Sequence, residues 1–329
     1  MIQQTISRLR PLAPATHVWV ITNDVSGSEI AKQLPGVSKR QIVSEPVGRN
    51  TAPAIGLAAF ILLQQDCDAV IGMFPSDHVV GNEARYREIL KHGIKVAAGG
   101  ENIVVLGIQP TRPETGYGYI EAGYAKDGDP LPVRCFKEKP TAETAIEFLN
   151  AGNYYWNSGM FLWRAQTLVN ALRAHLPETA AVLEKIAHTF GTRKFEATFR
   201  RLYRQCENIS IDYAVLEPQS AKGEKDSNIF CLPADFGWND LGSWTALHEH
   251  QVAKTPSKDG NIISSAGEFT LDAEGNYIHV PGKFVAAVGV SDLIVVETAD
   301  ALLITTRRHS QDVGKVVKYL DEKKKTKLT

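Results

Sequence analysis

The sequence predicts an α/β protein, a sheet with helices on both faces, followed by a smaller all-β segment. Three observations carry this reading. Short apolar runs alternate with amphipathic stretches from residue 17 to residue 108, the rhythm of strands joined by crossover helices. The stretch DAVIGMFPSDHVV, which begins at Asp68, stays apolar until Pro75 and turns polar only at Ser76, Asp77 and His78. That is the pattern of a strand buried on both faces of a parallel sheet. Beyond Pro256 the rhythm changes to short β-rich runs near Ile262, Phe269, Tyr277, Phe284, Leu293 and Leu302, separated by Gly, Asp and Asn turns. The expected domains are therefore residues 1–255 and residues 256–329.

The elements follow in order. Apolar Ile2, Ile6, Leu9 and Leu12 give a helix halted near Pro14. Residues 17–21 (HVWVI) read as a strand, 28–34 as a short helix, and 41–44 as a strand. Asn50 or Thr51 caps a helix that carries Pro53 in its first turn and runs to Gln65. The Asp68 strand comes next, then a helix over 83–98 and a strand over 102–108. Residues 114–120 read as a glycine-bearing turn into a strand, 133–137 as a strand and 142–149 as a helix. The aromatic-rich 155–161 segment reads as a strand or turn. Helices follow over 167–174, 178–187 and 194–204, then one or two helical turns at 211–216. A strand at 228–232, a loop over 236–244 entering a helix, and a closing helix over 311–322 complete the series. One feature is odd: the chain opens on a helix without the strand that should feed it.

Composition narrows the function. The chain has 329 residues, 43% hydrophobic and 22% charged, with a formal net charge of −1. That balance gives no pull toward nucleic acid or anionic membrane. The run Lys323, Lys324, Lys325 and Lys327 reads as a solvated end. Cys67, Cys135, Cys206 and Cys231 are scattered without a CxxC pair, which argues against structural zinc or a disulfide framework and fits the cytoplasm. No apolar stretch is long enough to span a bilayer.

Three constellations could carry chemistry. Asp77 at a strand end and Asp240 in the loop Trp238-Asn239-Asp240-Leu241-Gly242 are hard oxygen donors of the kind that hold Mg²⁺ against substrate phosphates. Ligands of open α/β sheets sit beyond the carboxyl ends of strands, where Asp77 is placed. Lys139, between Glu138 and Pro140, suits a phosphate counter-charge, and Glu138 could accept protons from sugar hydroxyls. Gly48-Arg49-Asn50-Thr51 opens a helix whose N-terminus favours anions or polar ring edges. Each is also what a solvated loop acid, a turn or a plain helix cap looks like. His248-Glu249-His250 lacks the spacing of a zinc helix, and Gly116-x-Gly118 lacks the strand-turn-helix of a dinucleotide fingerprint, which disfavours an NAD-dependent dehydrogenase.

Seven ordered motifs carry a resemblance: EPVGRNTAPAI from Glu45, FPSDH from Phe74, ETGYGYI from Glu114, FKEKP from Phe136, WNSGMF from Trp156, SIDYAVLE from Ser210 and FGWNDLGSW from Phe236. The chain resembles the sugar-1-phosphate nucleotidyltransferases, in particular their mannose-1-phosphate guanylyltransferase branch. The resemblance implies a Rossmann-like, GT-A-like nucleotidyltransferase fold with a mixed sheet, and a C-terminal short left-handed β-helix that helps form a homodimer. It implies that Asp77 and Asp240 hold Mg²⁺. Glu45, Pro46, Arg49 and Asn50, with the cap residue Thr51, line the nucleotide side. Gly118, Glu138 and Asn157 hold the mannose ring, and Lys139 its phosphate. The implied reaction takes GTP and α-D-mannose 1-phosphate to GDP-mannose and diphosphate by in-line attack at the α-phosphorus. Positioning and charge neutralisation, rather than a covalent intermediate, supply the rate.

One departure stands out. Nothing here matches the family's first strand and its glycine-rich G-x-G-T-R-L loop; residues 1–6 resemble the helix that follows that loop. Two expectations compete. In one, that segment belongs upstream of Met1 and the protein is an active transferase. In the other, the chain is a non-catalytic sugar-nucleotide-binding regulatory subunit that lost its triphosphate loop. The first is preferred because the sugar and phosphate residues are all present. It predicts a vacant slot at the centre of the sheet, next to the His17 strand or the Asp68 strand, and a continuous sheet would refute it.

Overall fold

The computed structural model describes residues 1–126, 128–323 and 325, so Lys324 and Lys327 of the lysine run lie outside the described residues. By packing, the chain forms two compact units, Met1–Trp238 and Asn239–Thr329. The helix at 244–254 thus packs with the β-rich segment, whereas the sequence division at 255–256 groups it with the first domain.

The first unit opens with α1 (Ile2–Leu9), β1 (Val20–Asn23), α2 (Gly27–Gln33), β2 (Ile42–Glu45), α3 (Thr51–Gln65) and β3 (Val70–Met73). It continues with β4 (Val79–Val80), α4 (Glu83–Ala98), β5 (Ile103–Ile108), β6 (Tyr119–Ala122), β7 (Leu131–Lys137), α5 (Ala142–Ala151) and β8 (Tyr154–Arg164). Then come α6 (Ala165–His175), α7 (Pro177–Ala187), α8 (Phe195–Leu202), α9 (Glu217–Ser220) and β9 (Ile229–Ala234); the two-residue β10 (Trp238–Asn239) marks the division.

The main sheet has six strands in the order β3-β8-β5-β9-β7-β6. Only β5 and β9 pair in parallel; β8 runs antiparallel to β3, β5 and β6. The sheet is therefore mixed, with the aromatic 11-residue β8 at its heart. Side chains alternate along β5. Ile103 and Val105 join the core under α3, α6 and α7, while Val104 and Leu106 join a second core under α4. Period-two alternation thus feeds two helical layers. Helix α3 is apolar on nearly every side, and residues 57–61 are all buried, as a helix enclosed by neighbours requires. Asn50 caps it by accepting the Thr51 N–H at 2.9 Å.

Three expectations need correction. The Asp68 strand is not a buried parallel strand: among the described residues β3 is the sheet's edge, pairs antiparallel with β8 and no other strand, and is only partly covered. A strand with one neighbour leaves one side open, so its apolar run alone could not fix its burial. The His17 strand begins later, at Val20, because a 3₁₀ turn occupies Ala15–His17. The slot was expected at the centre of the sheet; β3 instead ends a continuous six-stranded sheet, and the strands before it stand apart. β1 and β2 form a separate parallel pair. Trp19, Ile21 and Val43 pack on the same core as Ile71 and Met73, yet no ladder joins β1 to β3 among the described residues.

The second unit holds α10 (Trp244–Lys254), β11 (Ile262–Leu271), β12 (Tyr277–Val288), β13 (Leu293–Glu297), β14 (Leu302–Thr306) and α11 (Val313–Glu322). The six short strands expected merge into these four. β11, β12 and β13 stack in parallel and β14 closes antiparallel, a β-helix-like coil. Inside it Asn276 is fully buried and satisfied: its Nδ2 donates to Asn261 Oδ1 at 2.9 Å and its Oδ1 accepts the Leu293 N–H at 2.9 Å. A buried amide that meets its partners pins adjacent coils in register.

Candidate functional site

The residues expected on the sugar side, Gly118, Glu138, Lys139 and Asn157, lie together. The N–H of Asn157 on β8 donates to the Gly118 carbonyl at 2.8 Å. A methyl group on Gly118 would lie 2.4 Å from Glu138 Oε2 and 3.4 Å from the Asn157 Cβ. Glycine is therefore what lets the Glu138 carboxylate lie against this turn. Lys139 Nζ stands 3.4 Å from Glu138 Oε1, its side chain mostly in solvent while that of Glu138 is largely covered. Burial, then the charge of Asp212, pushes the Glu138 carboxyl above its usual range; Lys139 opposes this. The Glu138 N–H donates to Glu217 Oε1 at 3.1 Å, which fixes the backbone entering Lys139. Lys139 itself has φ +45°, a left-handed conformation that long side chains rarely adopt.

The residues expected on the nucleotide side begin at the end of β2 and run into α3. Glu45, the last residue of β2, accepts a hydrogen bond from the Tyr203 hydroxyl at 2.5 Å, and burial raises its pKa. Pro46 turns the chain after it. Arg49 Nη2 donates to the Arg204 carbonyl at 2.5 Å, while its Nε is buried and has no partner among the described residues. Asn50, with φ +63°, caps α3. The Thr51 hydroxyl is turned inward, where it accepts the Ile211 N–H at 2.9 Å.

Asp77 lies beyond β3, its side chain 74% exposed and its Oδ1 4.0 Å from His78 Nε2. Trp238 Nε1 donates to His78 Nδ1 at 3.1 Å, which leaves the proton on Nε2, facing Asp77. Rings then run from His78 to Trp238 (5.5 Å), to Tyr117 (5.2 Å) and to Trp156 (5.2 Å), the neighbour of Asn157. This aromatic run joins the Asp77 loop to the sugar-side turn within one unit. Asp240 belongs to the second unit, where its Oδ1 accepts the Gly242 N–H at 3.0 Å beside Leu241 with φ +51°. Both acids offer hard oxygen donors, which suit a divalent cation such as Mg²⁺.

Sequence reading missed three residues. Asp212 opens a π-helical turn, Asp212–Leu216, and accepts from Asn157 Nδ2 at 2.9 Å. Burial raises its pKa, opposed by its hydrogen bonds and by Lys139. Tyr203 and Glu217 support Glu45 and Glu138. Only the SIDY motif pointed to Asp212, since a π-turn has no signal in hydrophobic period. A cavity of about 590 Å³, lined by Lys39, Arg40, Phe195 and Arg200 among others, contains none of the predicted residues. Arg200 there is already paired with Asp24 and Glu196.

The chain belongs to the nucleotidyl transferase family, whose family model matches residues 1–256. Residues 268–320 match the MannoseP isomerase/GMP-like beta-helix domain. A mannose-1-phosphate guanylyltransferase of Salmonella typhimurium strain LT2 is 39% identical over 97% of this chain and 65% of its own length. One from Escherichia coli strain K12 is 35% identical over 97% of this chain and 66% of its own length. The chain thus spans slightly less than two thirds of these curated relatives. A solved structure from Thermus thermophilus, described as a mannose-1-phosphate geranyltransferase, superposes with TM-score 0.80 at 30% identity, covering 97% of this chain and 89% of that one.

Proposed function

We propose that the protein is a mannose-1-phosphate guanylyltransferase that converts GTP and α-D-mannose 1-phosphate to GDP-mannose and diphosphate. The observation that carries this reading is the cluster of Gly118, Glu138, Lys139 and Asn157, four residues from three separate motifs brought to one turn. The family membership and the names of the relatives agree with it.

In this reading the largely covered Glu138 and the Asn157 amide hold hydroxyls of the mannose ring, and the Lys139 ammonium meets the sugar phosphate. Glu45, Pro46, Arg49 and Asn50 form the guanosine side. The partnerless Nε of Arg49 is a buried donor awaiting an acceptor. Asp77 and Asp240 would hold Mg²⁺, which supplies charge neutralisation at the phosphates. The sugar phosphate oxygen attacks the α-phosphorus in line and diphosphate departs; the chain's part is to orient both substrates. A homodimer through the second unit belongs to the same proposal. No helix among the described residues is long and apolar enough to cross a membrane.

The deciding experiment measures diphosphate release from GTP, ATP, UTP and dTTP with mannose 1-phosphate or glucose 1-phosphate. Release confined to GTP with mannose 1-phosphate is expected. Binding of both substrates without release would favour a regulatory subunit. A preference for another nucleotide or sugar would refute the specificity.

A further inference from the structure

The polar groups of Asn157 are almost fully committed within the chain. Its backbone N–H donates to the Gly118 carbonyl at 2.8 Å, its Oδ1 accepts the Gly159 N–H at 3.0 Å, and its Nδ2 donates to Asp212 Oδ1 at 2.9 Å. A carboxamide has two N–H donors and an oxygen with two lone pairs. One donor and one lone pair remain for a ligand, and the two side-chain bonds fix where they point. Gly159 addresses only the oxygen end. Asp212, an acceptor when ionised, addresses only the nitrogen end, so the two together forbid a flip of the amide.

Asp212 is itself anchored from outside the sugar side. The preceding residue, Ile211, donates its N–H to Thr51 Oγ1 at 2.9 Å, and the Ala52 N–H donates to the Ile209 carbonyl at 3.2 Å. The first turn of α3 therefore holds the segment that presents Asp212.

We infer that Asp212 is a positioning residue that aims the Asn157 carboxamide at the hydroxyls of the bound hexose, held in place by the N-terminus of α3. The inference rests on the reading of Glu138, Lys139 and Asn157 as the sugar-phosphate side. It assigns Asp212 no contact of its own with the reacting atoms.

The test combines calorimetry of mannose 1-phosphate binding with NMR of the Asn157 side-chain amide in asparagine-labelled protein. Asp212→Ala weakens binding about tenfold, the scale of one net hydrogen bond. Asp212→Asn, whose oxygen can accept the same bond, restores most of it. The double variant Asp212→Ala with Asn157→Ala binds no worse than the weaker single variant, because both changes remove one function. The Asn157 amide loses its exchange protection in Asp212→Ala and keeps it in Asp212→Asn. Asp212→Leu, which withdraws the acceptor at nearly the same volume, gives the same readings should the alanine variant fold poorly. Additive losses in the double variant, or an Asn157 amide indifferent to Asp212, overturn the inference. If the amide responds while Asn157→Ala and Glu138→Gln leave binding unchanged, the positioning stands and the sugar-side reading fails.

Discussion

Gly118 shows how much of the site depends on one missing methyl group. An alanine there would put its Cβ 2.4 Å from Glu138 Oε2, the far end of a flexible side chain. The carboxylate can swing aside, so Gly118→Ala should leave the fold intact and displace the group proposed to meet the sugar. Mannose 1-phosphate binding should fall about tenfold or more, with a melting temperature within a few degrees of the parent; unchanged binding would detach Glu138 from the sugar. The carboxyls also predict a pH response. Burial raises the pKa of Asp212 and of Glu138. Between the ordinary carboxylate pKa and the raised native one, the folded state binds more protons than the unfolded state, so stability falls as pH rises through that window. Asp212→Asn removes one such group and keeps an acceptor for Asn157. Urea midpoints followed from about pH 4 upward should then fall less steeply and end higher at neutral pH. An unchanged slope would mean that Asp212 is not the buried titrating group. At the acids assigned to the metal, Asp240→Asn should abolish Mg²⁺-dependent diphosphate release while circular dichroism stays the same. Undiminished turnover would remove Asp240 from that role.

Elements are held by contacts that local propensity does not register, and two variants separate the effects. Gly93 lies inside α4, where alanine would add helix propensity of about 1 kcal/mol. Its Cβ would meet Leu162 Cδ1 at 2.4 Å and Leu232 Cδ1 at 3.2 Å, both in the packed layer under the helix. Overpacking of that kind costs about 1–3 kcal/mol, so Gly93→Ala should lower the denaturation midpoint despite the better helix former. Thr51→Val should also destabilise, by about 1–3 kcal/mol, because it leaves the partly buried Ile211 N–H without its acceptor. A midpoint equal to the parent's would show that water replaces the hydroxyl. These contacts also mark where sequence reading works. Helix α4 spans the residues expected, and α3 was legible from its Asn-Thr cap and apolar run. The aromatic segment 155–161 stayed ambiguous because an apolar run of that length fits a turn or a strand; its three sheet partners make it the central strand. Strand β3 misled for the converse reason, since its sequence states that it is apolar and not how many neighbours it has. In the sugar-side site, Glu138, Lys139 and Asn157 were legible as motifs. Asp212 was not, because its role depends on a bond to a residue 55 positions away.

At the scale of the whole molecule the question is what covers the second unit. The register of β11 and β12 sets Phe269 opposite Ala286 and Leu271 opposite Val288, with Phe284 beside Gly267. Residues two apart share a face, so Phe269, Leu271, Phe284 and Val288 form one apolar patch, each more than half exposed. Leu302 and Ile304 lie outward on β14, and α11 buries none of its residues while exposing Val316, Val317 and Tyr319. A soluble chain rarely leaves contiguous apolar surface of this kind uncovered. With a net charge of only −1, repulsion between copies is weak, and a second copy offers the same patch in matching form, as a two-fold dimer requires. Sedimentation at about 10 μM protein should therefore give a dimer, the state expected of an interface near the standard size of about 1,600 Å². Phe284→Ser combined with Ile304→Ser should shift it to monomer without changing the circular dichroism, since both side chains already face solvent in the single chain. Parent protein that sediments as a monomer, or a dimer indifferent to both substitutions, would place the contact elsewhere and leave these side chains without a partner.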